Sequence, residues 1–186
     1  MATNNDAVIR YYASDMILNV HLYTSYMTPS KARSRTCGHF FLGSIPFDVE
    51  PIVINGAILT LSTILKCVAA SAAEAELGAL FLSAMEVKIL RITLDELGHP
   101  QPPNPIHCNN TTAVGIVNSL IKRQISWANN MRFFWLLCQQ KQSILHVSYH
   151  PGQKNLHDYH SKVYNRAHHK RLRPFYIHSE HSPIFL

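Results

Sequence analysis

AASAAEAELGALFLSAMEVKILRITLDELGHP, residues 69 to 100, is the stretch on which the reading of the whole chain turns. It is rich in Ala, Leu, Glu and Met, all good helix formers. Leu77, Leu80, Phe81, Ala84, Val87, Leu90 and Leu94 recur at helical spacing, so a long amphipathic helix is expected from Ala69 to Leu97. Gly98 stops it, and Pro100, Pro102 and Pro103 bar its continuation. At about 100° per residue, Glu76 falls within the stripe of Leu80, Ala84, Val87 and Leu94, whereas Glu74 falls on the far side. An inward carboxylate is costly to bury unless a cation offsets its desolvation. On the pattern alone, Glu76 either reaches water along the helix edge or belongs to a charged site.

Before this helix the chain reads as strands. Met16 to Tyr23 alternates, with Leu18, Val20 and Leu22 on one face and Asn19, His21 and Tyr23 on the other. A turn-rich loop carrying Lys31, Arg33 and Arg35 leads to a second short strand, Gly38 to Gly43. Asn55-Gly56, between Ile52-Val53-Ile54 and Ala57 to Leu61, is a strong signal for a tight hairpin.

Beyond the helix, Pro105 to Cys108 reads as a strand, and Thr111 to Asn118 and Ser126 to Gln140 read as helices. Ile144 to Tyr149 alternates as a fifth strand. Lys154 to Val163, holding Asp158, is a candidate last helix. The order predicts an α/β domain: a five-stranded mixed sheet, its first three strands antiparallel, flanked by helices. Residues 1–15 read as a lead-in, 16–162 as the domain and 163–186 as a basic, His-rich tail.

Composition agrees with one folded domain. Of 186 residues, 47% are hydrophobic and 15% charged, enough apolar material for a core and too little charge for a disordered chain. Lys and Arg outnumber Asp and Glu by 17 to 11, a net charge of +6 that suits either a polyanionic partner or an ordinary basic surface. Cys37, Cys67, Cys108 and Cys138 form no CxxC pair and read as buried thiols. Apolar runs are broken well short of the roughly 20 residues a membrane span needs. An intracellular protein without a membrane anchor is the expectation.

Several short motifs carry a resemblance. Ser71-Ala72-Ala73-Glu74-Ala75-Glu76-Leu77 resembles SSAEAE(Y/L), which opens the long helix in the ribonuclease H-like domains of copia-type retrotransposon Pol polyproteins. In the same order, residues 33 to 43 (RSRTCGHFFLG) resemble that family's RRSTSGYVFFLG, and Asn109 to Ala113 resembles DNQSA. Met131 to Phe134 is similar to IRYHF, and Asn155 to Asp158 to QLAD. The matches span about residues 16 to 162.

The resemblance implies a ribonuclease H-like fold and hydrolysis of RNA in RNA/DNA hybrids with two Mg2+ or Mn2+ ions, which activate a water and stabilise the leaving oxygen. The four carboxylates of the family fall on Tyr23, Glu76, Asn109 and Asp158. Glu76 and Asp158 are the retained acids and would be the metal ligands; Tyr23 and Asn109 mark lost ones. A phenol with a reference pKa of about 10 is neutral at physiological pH, and an amide carries no charge. Hard divalent cations favour charged oxygens, so the resemblance, with half its acids gone, implies impaired catalysis.

The nucleic-acid contacts it suggests are Lys31, Arg33, Arg35, Lys122 and Arg123, joined by Lys170, Arg171 and Arg173 of the tail. Other parts of a retroelement polyprotein are possible partners. His157, His160, His168 and His169 match no zinc spacing and read as a solvated basic tail. His21 and His107, each beside a lost acid, leave open a softer metal.

Overall fold

The computed structural model describes residues 6–27, 32–45, 54–120, 127–151 and 165–179, with the backbone only at 127–130, 169 and 179. Its elements are β1 (Ala7–Val8), β2 (Ile17–Ser25), β3 (Arg35–Gly43), β4 (Ala57–Ile64), α1 (Ala72–Glu96), β5 (Asn104–Cys108), α2 (Thr111–Val117), α3 (Trp127–Lys141), β6 (Leu145–Tyr149), α4 (Arg166–Leu172) and β7 (His178–Ser179). A single 3-10 turn, Arg173–Phe175, follows α4.

The main sheet has the order β4-β3-β2-β5-β6. β2, β3 and β4 run antiparallel, while β5 lies parallel to β2 and β6 parallel to β5. This is the mixed sheet that the sequence pattern predicts. The alternation in β2 sends Leu18, Val20 and Leu22 into the core, against Leu80, Ala84, Val87 and Leu94 of α1 and Phe133 and Leu136 of α3. Gly98 ends α1 at φ +89°, a backbone region in which a Cβ is strained. No helix among the described residues is long and apolar enough to cross a membrane.

The expected Asn55-Gly56 hairpin is not the one that forms. β4 pairs with β3, and neither Asn55 nor Gly56 takes the positive φ that a two-residue turn of that kind requires. Ile52 and Val53 lie outside the described residues. The Asn55 carboxamide instead accepts from the Tyr12 amide (2.8 Å) and donates to the carbonyls of Tyr12 (2.9 Å) and Leu42 (2.8 Å). Gly56 is required for a different reason than turn geometry: a Cβ there would meet the Arg10 carbonyl oxygen at 2.5 Å.

Residues read as lead-in and tail thus include parts that pack on the sheet. β1 and β7 form a two-stranded antiparallel ribbon. The Tyr11 hydroxyl donates to the Ala57 carbonyl, and Leu172 and Tyr176 are buried.

Candidate site at the ends of the central strands

The N-terminus of α1 is built by a reciprocal cap. The Ser71 hydroxyl accepts from the Glu74 amide (3.2 Å), and the Glu74 carboxylate accepts from the Ala70 amide (2.8 Å). Glu74 was expected to face outward; it is buried instead, because reaching back to the cap folds its side chain against the start of its own helix. The cap sets the first turn, and with it the position of Glu76.

Glu76 is only 4% exposed, in keeping with the inward direction set by helical spacing. The side chain sits where the C-terminal ends of β2 and β5 come together. The Cys108 thiol approaches its Oε2 at 3.8 Å. Burial raises its pKa from the ordinary 4.5 to about 7, and hydrogen-bonding interactions from Thr24 and Cys108 only partly oppose that rise. The Thr24 hydroxyl stays outside full hydrogen-bond geometry. Burial, followed by the nearby Glu76 charge, pushes the Cys108 thiol well up as well.

Tyr23 is a half-buried residue of β2, level with Cys37 of β3 and flanked by the buried Leu22 and Thr24. Alternation places it on the His21 face of the sheet, so Thr24, and not Tyr23, is the β2 neighbour of the Glu76 carboxyl. His21 pairs with His107 across the parallel strands, and carrying that register on by two residues sets Tyr23 level with Asn109. Asn109 lies one residue past β5, half-buried, just before Asn110, whose side chain caps α2 by accepting from the Ala113 amide (2.9 Å). The structure therefore gathers Glu76, Tyr23 and Asn109 around the ends of β2 and β5.

Asp158, Lys31, Lys122, Arg123, His157 and His160 lie outside the described residues. Arg33 is half-buried, and Arg35, at the start of β3, donates to the Ser62 hydroxyl (3.4 Å). Lys170 and Arg171 are exposed on α4, and Arg171 approaches the His168 ring at 3.3 Å. Thr24 and Cys108 were not singled out from the sequence. Thr24 could have been, since it continues the inward series of Leu18, Val20 and Leu22. Cys108 gave no signal beyond its place before Asn109.

Two hard divalent cations do not fit the donors described. The carboxyl of Glu76 is the single acid at these strand ends among the described residues, and its neighbours are a threonine, a protonated thiol, a phenol and an amide. No three His, Cys, Asp or Glu side chains among the described residues are set to hold a metal ion. A pair of ions facing one buried carboxyl would lack the charged oxygens they require.

The fold defined by this sheet and its helices is ribonuclease H-like. Among solved structures it is similar to LC11-RNase H1 in complex with an RNA/DNA hybrid, at 11% identity and a TM-score of 0.52, over 74% of this chain and 88% of that one. LC11-RNase H1 isolated from compost by a metagenomic approach gives 10% identity and a TM-score of 0.51, over 75% and 88% of the two chains. The N-terminal RNase H domain of a Mycobacterium tuberculosis protein gives 8% identity and a TM-score of 0.52, over 84% and 96%. No family model and no curated protein matches the chain.

Proposed function

We propose that the chain is a retroelement-derived, copia-type ribonuclease H-like domain that engages RNA/DNA hybrids but has lost most or all of its hydrolytic power. The observation that carries this reading is the state of Glu76. It is the acid that the SAAEAE resemblance assigns to the metal, and it stands buried among uncharged groups with its pKa raised to about 7. Intact metal chemistry of this family would use Mg2+ or Mn2+, and the replacement of two acids by Tyr23 and Asn109 removes two of the four charges that would hold them. What remains is a nucleic-acid-binding scaffold inside the cell, one that reads a hybrid by backbone shape and 2'-hydroxyls. Arg33 and Arg35, with Lys31, Lys122 and Arg123, supply positive charge for phosphate contact.

The test is cleavage of a labelled RNA/DNA hybrid in Mg2+ and in Mn2+. The unaltered chain is expected to cleave at no more than a trace level, and Tyr23→Asp combined with Asn109→Asp is expected to restore activity. Robust cleavage by the unaltered chain that disappears on Glu76→Gln would overturn the proposal. Binding is read separately by gel shift across salt concentration. A preference for hybrid over duplex DNA is expected, with log K falling by roughly one unit per decade of salt for each phosphate neutralised.

A further inference from the structure

The sheet face turned away from α1 carries an unbroken series of rings. His150 lies 5.9 Å from His107 between ring centroids, His107 4.8 Å from His21, His21 5.4 Å from Phe41, Phe41 5.6 Å from His39, and His39 5.4 Å from Tyr176. His150 also approaches His21 directly, at 5.6 Å. The series runs from the end of β6 across β5, β2 and β3 to the segment that follows α4. His21, His39 and His107 are all nearly closed to solvent. The Nδ1 of His107 is paired with the Ser148 hydroxyl at 3.0 Å, which leaves its buried Nε2 without a hydrogen-bond partner.

Among the described residues, the charged or titratable groups that act on His21 are His107, His150 and His39, and those that act on His107 are His150 and His146. None is a carboxylate. Tyr176 closes the series from the C-terminal segment, with Leu172 buried beside it in sequence. A first proton on such an array loses hydration with no anion to offset it, and a second meets a like charge about 5 Å away in a medium of low dielectric. Since no three of these side chains are set to hold a metal ion, the chemistry they share is proton uptake.

We propose that the histidine array is a proton-operated latch: protons taken up in mild acid drive the rings apart and release residues 165–179 from the sheet, while the core around α1 stays folded. The direction follows from linkage. Burial first, and then the neighbouring imidazoles, hold His21 well below its ordinary pKa and His107 at about 4. The opened state binds more protons than the closed one between about pH 6.5 and 4, so falling pH favours opening across that window. Release would carry away α4 and its exposed Arg166, Lys170 and Arg171.

Hydrogen–deuterium exchange on the full chain, corrected for intrinsic rates, tests the latch. Between about pH 7 and 4.5, protection of residues 165–179 is expected to fall at least about tenfold while α1 changes less than about twofold. Tyr176→Ala is expected to give the same loss already at about pH 7. His21→Phe with His107→Phe is expected to hold the segment closed in acid. If that pair fails to fold, ring-proton NMR of the unaltered chain replaces it, and the His21 and His107 midpoints must coincide with segment release. The latch is overturned by unchanged protection, by simultaneous loss in α1, by acid release that persists in the double variant, by imidazole midpoints more than about one pH unit from release, or by micromolar Zn2+ binding at neutral pH.

Discussion

At the scale of single residues, Glu76 records the consequence of removing the charges around a buried acid. Its folded pKa of about 7 lies above its ordinary 4.5, so the folded state keeps a proton that the unfolded state gives up. The associated stability is fully present below about pH 4.5 and is lost as pH rises through about 7. Glu76→Gln should therefore leave metal-free stability unchanged near pH 4 and raise it by up to about 3 kcal/mol at pH 8. Urea denaturation at the two pH values measures this, and equal midpoints for both proteins at pH 8 would contradict it. Cys108 belongs to the same account: a thiol kept protonated by burial and by its acidic neighbour is a poor nucleophile and a poor metal ligand.

At the scale of elements, the start of α1 shows how a short motif can serve local structure as well as chemistry. In Ser71-Ala72-Ala73-Glu74 the serine and the glutamate satisfy backbone amides reciprocally, so part of what looks like a catalytic signature is also a helix cap. Ser71→Ala should cost about 1 kcal/mol of global stability, read as a lowered urea midpoint with an unchanged slope. No loss would show that the cap contributes nothing. The Asn55-Gly56 pair teaches the opposite lesson. Its local preference for a tight turn yields to three hydrogen bonds from the Asn55 carboxamide to Tyr12 and Leu42, made available only once distant segments have met.

At the scale of the whole molecule, the far end of the sheet is tied together by a polar cluster that holds the first core strand in place. Asn104, fully buried at the start of β5, donates to the Leu18 carbonyl (3.2 Å) and to the Gln101 side chain (3.0 Å), and accepts from Arg91 of α1 (2.9 Å). Gln101 in turn accepts from the Leu18 amide and donates to the Met16 carbonyl. Helix, loop and two strands thus share one set of bonds, made opposite the Glu76 end. Asn104→Ala would leave a guanidinium N–H and a buried carbonyl without partners and should destabilise by about 3 kcal/mol. A change in thermal midpoint below about 2 °C would show that the cluster relaxes without it.

Periodicity and cap chemistry are local, and the sequence by itself therefore determined the long helix, the inward direction of Glu76, the alternation of β2 and the helix stop at Gly98. With the order of elements, these were enough for the mixed sheet. What depended on pairs remote in sequence was decided by tertiary structure alone. Glu74 is buried because its cap draws it in, Asn55 is claimed by Tyr12, and Thr24 and Cys108 surround Glu76 because β2 and β5 lie side by side. The histidines show the division most plainly. His21, His39, His107 and His150 are scattered over 130 positions of sequence, and only the strand order β3-β2-β5-β6 brings their rings onto one face. A linear pattern reports which way each side chain points, and the fold alone decides what it meets there.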